Sequence, residues 1–64
     1  MIVRKFMSRS VTIVRDGKET HYPLSIATVA YDESDEAIDV SVQPYIREIP
    51  GVEYVDTPLV ITIR

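Results

Sequence analysis

Apolar and polar residues alternate along most of the chain, which is the pattern of β-strands with one buried face. The clearest example is the sequence IDVSV, residues 38–42, where every second position is apolar. No stretch of ten or more residues combines helical spacing of its apolar positions with capping residues at its ends. The pattern therefore predicts an all-β protein.

The pair Asp16-Gly17, between two β-branched stretches, is the first of three predicted turns. A two-residue type I′ turn needs positive φ at both central positions, and Asp-Gly suits both. This turn sets Met7 opposite Ile26 and gathers apolar side chains on one face of a long hairpin.

Two further turns predict the rest of the sheet. A five-residue loop over 32–36 sets Ile26 opposite Val42, and Pro50-Gly51 fits a type II turn that sets Val42 opposite Leu59. All three turns select the same apolar face. The prediction is a single domain over residues 1–64, folded as a four-stranded antiparallel meander. A fifth strand results if the first strand bends near Ser8–Ser10, where weak strand residues interrupt it.

The apolar face of such a sheet must be covered, and the chain supplies no helix for this. Either a second copy packs on it, or the sheet closes into a small barrel with an SH3-like or OB-like layout, or another protein covers it. The predicted fourth strand, PLVITIR, offers a second route to association, since an edge without charge before its last residue invites strand addition. The candidate self-association face comprises Met7, Val11, Ile13, Leu24, Ile26, Val40, Val42, Leu59, Ile61 and Ile63.

The small size of the chain also favours a partner. A 64-residue domain buries only about 60% of the surface that its unfolded chain exposes. There is no cysteine, so disulfides cannot add stability, and self-association is a common substitute. A homo-oligomer is therefore expected. No segment has the features of a signal peptide or a membrane span, so we expect a soluble cytoplasmic protein that does not bind membranes.

Charge is distributed unevenly along the sequence. Residues 1–31 carry five cations against two acids, and residues 32–63 carry eight acids against Arg47 alone. Such a division indicates either a surface for a charged partner or two halves of the chain that attract each other.

The acids concentrate in YDESDEAID, residues 31–39. As an EF-hand loop starting at Asp32 this stretch fails, because its sixth position is Ala37 and its twelfth is Gln43. A solvated hairpin turn is the interpretation that we favour, and imitation of nucleic-acid phosphates is the alternative. The candidate acidic interaction surface is Asp32, Glu33, Asp35 and Glu36.

The cations of the first hairpin are the alternative binding surface. The candidate nucleic-acid contacts are Arg4, Lys5, Arg9, Arg15 and Lys18, with Phe6 and His21 as stacking groups. In the predicted register these cations divide between the two faces and form no single stripe. Nucleic-acid binding is therefore the weaker expectation.

Nothing in the sequence indicates an enzyme. His21 is the single histidine, and no serine has the context of a catalytic nucleophile. We predict no catalytic residue, no cofactor and no metal ligand. The expected function is that of a small non-enzymatic protein-binding β module, a homo-oligomeric accessory or inhibitory factor. A small β-barrel that binds nucleic acid is the alternative. The opening sequence RKFMSRSVTIVRDGK resembles small proteins of phages and other mobile elements, without a motif whose function transfers.

Overall fold

The computed structural model describes residues 1–63, which form strands, turns and loops and no helix. Two sheets result, one with the strand order β5-β4-β1-β6 and one with the order β3-β2-β7. The all-β class is confirmed, whereas the single four-stranded meander is wrong. In chain order the strands are β1 (Ile2–Ser8), β2 (Val11–Arg15), β3 (Lys18–Tyr22), β4 (Ser25–Tyr31), β5 (Ala37–Pro44), β6 (Val52–Tyr54) and β7 (Leu59–Ile63).

The first hairpin has the predicted register in both sheets. Val11 lies opposite Tyr22 where β2 pairs with β3, and Met7 lies opposite Ile26 where β1 pairs with β4. The turn residue Asp16 has a φ of 53°, and Gly17 after it has a φ of 74°. These left-handed values are those of a type I′ turn, so one Asp-Gly pair explains the register of two ladders.

Both strands of this long hairpin are interrupted, between β1 and β2 on one side and between β3 and β4 on the other. Across the interruption, the residues that face the core change from even to odd positions or the reverse. Phe6 and Ser8 are buried before it, whereas Val11 and Ile13 are buried after it. Successive side chains of a strand point to opposite faces, so the alternation shifts by one position between Ser8 and Val11. The partner strand makes the same shift across residues 23–24, between β3 and β4.

This exchange of faces lets the two sheets enclose one core. Residues of both sheets of the chain form this core. β5 approaches β7 without forming a ladder, so the sheets do not close into a barrel. The buried core cluster is Phe6, Val11, Ile13, Ala27, Val29, Ile61 and Ile63.

The hairpin of β4 and β5 departs from the predicted register by one residue. Tyr31 lies opposite Ala37, as predicted, but a bulge follows and shifts the next pairs. Val42 lies opposite Ala27 rather than Ile26. Because a slip of one residue exchanges the faces of a strand, Val42 turns toward the core.

The last part of the chain does not form the predicted antiparallel fourth strand. Pro50 and Gly51 do form a turn, with a φ of 81° at Gly51, but no hairpin follows it. Residues 45–51 instead pass over the outer face of the four-stranded sheet, and β6 pairs in parallel with β1. After residues 55–58, β7 pairs in parallel with β2. The predicted strand ended at Arg64, which lies outside the described residues.

The crossing segment gives the four-stranded sheet a small second cluster on its outer face. Ile26 points away from the main core, yet it is only 1% exposed. Tyr45 and Ile49 of the crossing segment lie over it, beside Met7 and Tyr54. The crossing is therefore part of the packed structure.

We expect Ile26→Val to lower the free energy of unfolding by about 0.5–1.5 kcal/mol, the usual effect of removing one buried methyl group. Urea denaturation followed by circular dichroism measures this change. Ile38→Val is the matched control, because Ile38 is 43% exposed at the bulge and should change stability little. Equal effects of the two substitutions would show that the crossing segment does not cover Ile26.

Ser8 holds the corner at which β1 passes into β2. Its buried hydroxyl oxygen lies 2.9 Å from the Thr57 carbonyl oxygen and 3.1 Å from the Ser10 carbonyl oxygen. The backbone N–H of Ser10 also donates to it, at 3.3 Å. A hydroxyl has one proton, so it donates to one of the two carbonyls at a time. These bonds tie the interruption in the first strand to the segment between β6 and β7.

Replacement of this hydroxyl should loosen the corner. We expect Ser8→Ala to lower the free energy of unfolding by about 1–3 kcal/mol, because buried polar groups of the backbone lose their partner. Ser10→Ala removes an exposed hydroxyl two residues away and serves as the control, with an effect close to zero. The same urea titration compares them, and a Ser8→Ala protein as stable as the control would contradict this role.

Candidate functional site

The ten residues of the predicted self-association face do not form one surface. Part of this face is buried within the chain itself. Leu24 is exposed, and Met7, Val40, Val42 and Leu59 are partly buried. The buried members are Val11, Ile13, Ile26, Ile61 and Ile63.

The acidic loop between β4 and β5 is a hydrogen-bonded hairpin turn. The Oδ1 atom of Asp32 accepts the backbone N–H of Ser34 at 2.9 Å and that of Glu36 at 3.0 Å. The Asp32 N–H donates to the Glu36 carbonyl at 2.9 Å, and the Asp35 N–H donates to the Asp32 carbonyl at 3.0 Å. Asp35 takes a φ of 64°, which an aspartate tolerates better than most residues. One of the predicted interaction residues, Asp32, therefore has a structural role.

The other acids of this loop are exposed or partly buried. Glu33 and Asp35 are exposed, and Glu36 is partly buried. Across residues 1–63, no three His, Cys, Asp or Glu side chains converge in a group that could hold a metal ion. The geometry is that of a solvated turn fixed by its first carboxylate.

We expect Asp32→Ala to lower the free energy of unfolding by about 1 kcal/mol, because two backbone N–H groups lose their acceptor. Asp32→Asn keeps an acceptor oxygen at the same position, so it should retain most of the stability. Thermal unfolding distinguishes the two variants, with Glu33→Gln as a control for the loss of one negative charge. If the alanine and asparagine proteins were equally destabilised, charge rather than hydrogen bonding would be the cause.

Two of the five candidate nucleic-acid contacts are engaged with carboxylates. One terminal nitrogen of Arg4 lies 2.9 and 3.0 Å from the two carboxylate oxygens of Glu53, and its guanidinium lies 4.9 Å from the centre of the Phe6 ring. The hydrogen bond and charge of Glu53 raise the pKa of Arg4 above its ordinary value. A terminal nitrogen of Arg15 lies 3.5 Å from Oδ1 of Asp39.

The three remaining cations lie apart from one another. Lys5 is on the outer face of the four-stranded sheet, between Thr28 and Val52 of the neighbouring strands. Arg9 lies at the corner between β1 and β2, and Lys18 lies at the start of β3. The five cations therefore form no continuous basic stripe.

A cleft of about 330 Å³ opens between the β2–β3 hairpin and β5. This volume is at the lower end of the range of about 300–1,000 Å³ that is typical of ligand sites. Its lining combines aliphatic side chains with a polar margin. The aliphatic and aromatic residues are Ile13, Tyr22, Val40 and Val42, and the polar residues are Arg15, Asp16, Lys18 and Thr20.

The cleft exists because β5 does not continue beside β3. β5 follows β4 as far as Pro44, and the Tyr45 N–H then bonds the Leu24 carbonyl as the chain turns away. Among residues 1–63, β3 has β2 as its neighbour on one side and no strand on the other. An unpaired strand edge therefore borders a partly apolar space.

Sequence reasoning missed this cleft for two reasons. Val40 and Val42 line it only because the bulge at Ile38 of β5 turns them inward. The end of β5 at Pro44 was not predicted, because the predicted turn at Pro50-Gly51 implied a strand that continues through this position. Proline at this position is the one available signal, since it cannot donate to a ladder.

His21 lies on the other side of β3 from the cleft. Its ring nitrogen Nδ1 is 3.0 Å from the hydroxyl oxygen of Thr12, on the neighbouring strand. The lining of the cleft contains neither histidine nor cysteine. The arrangement is suited to binding through backbone and aliphatic groups.

No protein-family model matches the chain. Comparison with curated proteins gives no match, and comparison with solved structures gives none. Within residues 1–63 there is no helix that is long and apolar enough to cross a membrane.

Proposed function

We propose that the protein is a small non-enzymatic β module that binds protein chains by strand addition, with a second copy of itself as the simplest partner. In this role it serves as an accessory or inhibitory factor. The observation that carries the proposal is that, in the part of the chain that the structure describes, β3, β5, β6 and β7 each have a neighbouring strand on one side only. A strand with an unpaired side offers backbone N–H and C=O groups to an added strand.

β7 has the fewest protective sequence features of these edges, and β5 approaches it without forming a ladder. Leu59–Ile63 contains no charged residue and no proline, and the side chain of Val60 is 62% exposed. By contrast, β3 carries Lys18 and Glu19, β5 carries a bulge and Asp39, and β6 has only three residues. Charges, bulges and short length are the usual devices that prevent unwanted strand pairing.

The sequence of β7 is also suited to pairing with itself. Antiparallel pairing about Ile61 places Leu59 opposite Ile63 of a second copy, and Val60 opposite its Thr62. Aliphatic and β-branched cross-strand pairs of this kind stabilise sheets. Such a contact extends the three-stranded sheet across a two-fold axis.

Nucleic-acid binding has less support. Arg4 and Arg15 already contact carboxylates, and the other candidate cations lie on separate surfaces. Phosphate-dominated binding would fall steeply with added salt. Titration of single-stranded DNA at two salt concentrations therefore separates this alternative from the proposed function.

Light scattering over a dilution series tests the proposal directly. We expect a species of twice the chain mass at high concentration, which dissociates on dilution. Val60→Lys places a charge on the exposed side of β7 and should abolish this species while the monomer stays folded. Thr57→Lys adds the same charge to an exposed loop position just before the strand and should leave the dimer intact. A monomer at every concentration would overturn self-association.

A further inference from the structure

The unpaired edge of β3 presents the backbone groups of two residues. In a two-residue hairpin the residues that flank the turn exchange both of their hydrogen bonds, here Arg15 and Lys18. The alternation of an antiparallel ladder then directs the backbone groups of Thr20 toward β2, and those of Glu19 and His21 outward. An added strand can therefore bond with β3 at Glu19 and His21.

The cleft lies on one side of this edge, and it determines which side chains an added strand should carry. Inward side chains would lie beside Thr20 and over Ile13, Val40 and Val42. The two valines are only partly buried, so aliphatic side chains placed there remove further apolar surface from water. At the two inward positions opposite Tyr22 and Thr20, the added strand should thus be aliphatic.

The third inward position lies opposite Lys18, at the hairpin end of the cleft. Arg15 at this end already contacts Asp39, and Asp16 lies in the turn. Lys18, by contrast, has no ion-pair partner among residues 1–63. An acidic side chain opposite Lys18 would form an ion pair with it.

We infer that this cleft binds an extended segment of another protein, which pairs antiparallel with β3 and carries the pattern aliphatic–x–aliphatic–x–acidic. Antiparallel pairing allows a single residue of the segment to exchange both bonds with Glu19, and another to exchange both with His21. The inference shares only the mode of binding with the proposed function, since it uses β3 rather than β7.

A second copy of β3 does not fit this description. Pairing of two β3 strands about Thr20 places Lys18 opposite Tyr22 of the other copy, so the inward positions hold no aliphatic and no acidic side chain. The backbone hydrogen bonds at Glu19 and His21 require that the occupant be a polypeptide. A segment of a different protein is therefore the occupant that the chemistry favours.

A synthetic peptide tests the site: acetyl-Thr-Val-Thr-Val-Thr-Glu-Thr-amide, titrated into ¹⁵N-labelled Val60→Lys protein to exclude self-association through β7. Its valines and glutamate occupy the inward positions, opposite Tyr22, Thr20 and Lys18. We expect amide chemical-shift changes in β3 and in β5 near Val40 and Val42. Absence of saturable shifts there would overturn the inference. It would leave the proposed function untouched, because the Val60-dependent dimer is measured separately by light scattering.

Two modified probes separate backbone pairing from non-specific contact. Methylation of the two threonine nitrogens between the inward residues removes the N–H groups that face Glu19 and His21, and should weaken binding about tenfold or more. Lysine in place of glutamate should weaken it about threefold or more, the scale of a partly exposed ion pair. Equal affinity of all three probes would overturn the predicted register.

Charge reversal on the protein completes the test. Lys18→Glu should bind the lysine probe more tightly than the glutamate probe, whereas Lys5→Glu, on the outer face of the other sheet, should keep the original preference. Retention of that preference by Lys18→Glu would overturn the assignment of the acidic position. Concentration-dependent shifts at Glu19 and His21 without any peptide would instead identify a second copy as the occupant and overturn the inference.

Discussion

The whole fold depends on the shift of side-chain alternation between Ser8 and Val11. A strand that kept its alternation would direct Phe6 and Val11 to opposite faces, and one of them would remain in water. With the shift, both enter one core. The shift leaves polar backbone groups at the corner. The Ser8 hydroxyl lies within hydrogen-bond distance of two of them, the carbonyl oxygens of Ser10 and Thr57. The buried Ser8 hydroxyl thus satisfies polar groups at the corner where the alternation shifts.

The same corner determines where the molecule is open. β3 and β4 are successive parts of one interrupted strand, but β5 accompanies only β4, because the chain leaves at Tyr45 to cross the outer face. The inner side chains of β5 consequently face the β2–β3 hairpin across an unfilled space. The crossing that buries Ile26 is therefore also the reason that β3 has a free edge. Stability on one face of the sheet and an open cleft on the other have a common origin.

Sequence alone predicts the parts of this fold that local chemistry determines. Asp16-Gly17 selects one turn type, and that turn gives the correct register of the whole first hairpin. The bulge at Ile38 has no comparable local signal, and its one-residue slip reverses the faces of β5. The parallel pairing of β6 with β1 and of β7 with β2 depends on the path of the chain over the sheet. The alternation of apolar and polar residues does not encode that path. The cleft follows from both of these features, so it was not predictable.

The uneven charge along the chain has an explanation within the fold. Two ion pairs among residues 1–63, Arg4 with Glu53 and Arg15 with Asp39, join a cation of residues 1–31 to an acid of residues 32–63. The basic and acidic halves thus meet where β1 lies beside β6 and where β2 approaches β5. Exposed pairs of this kind add little stability, but they use cations that could otherwise meet a partner. Lys18 lies beside the cleft and has no such pair within residues 1–63, so its charge is available to the segment that we infer to bind there.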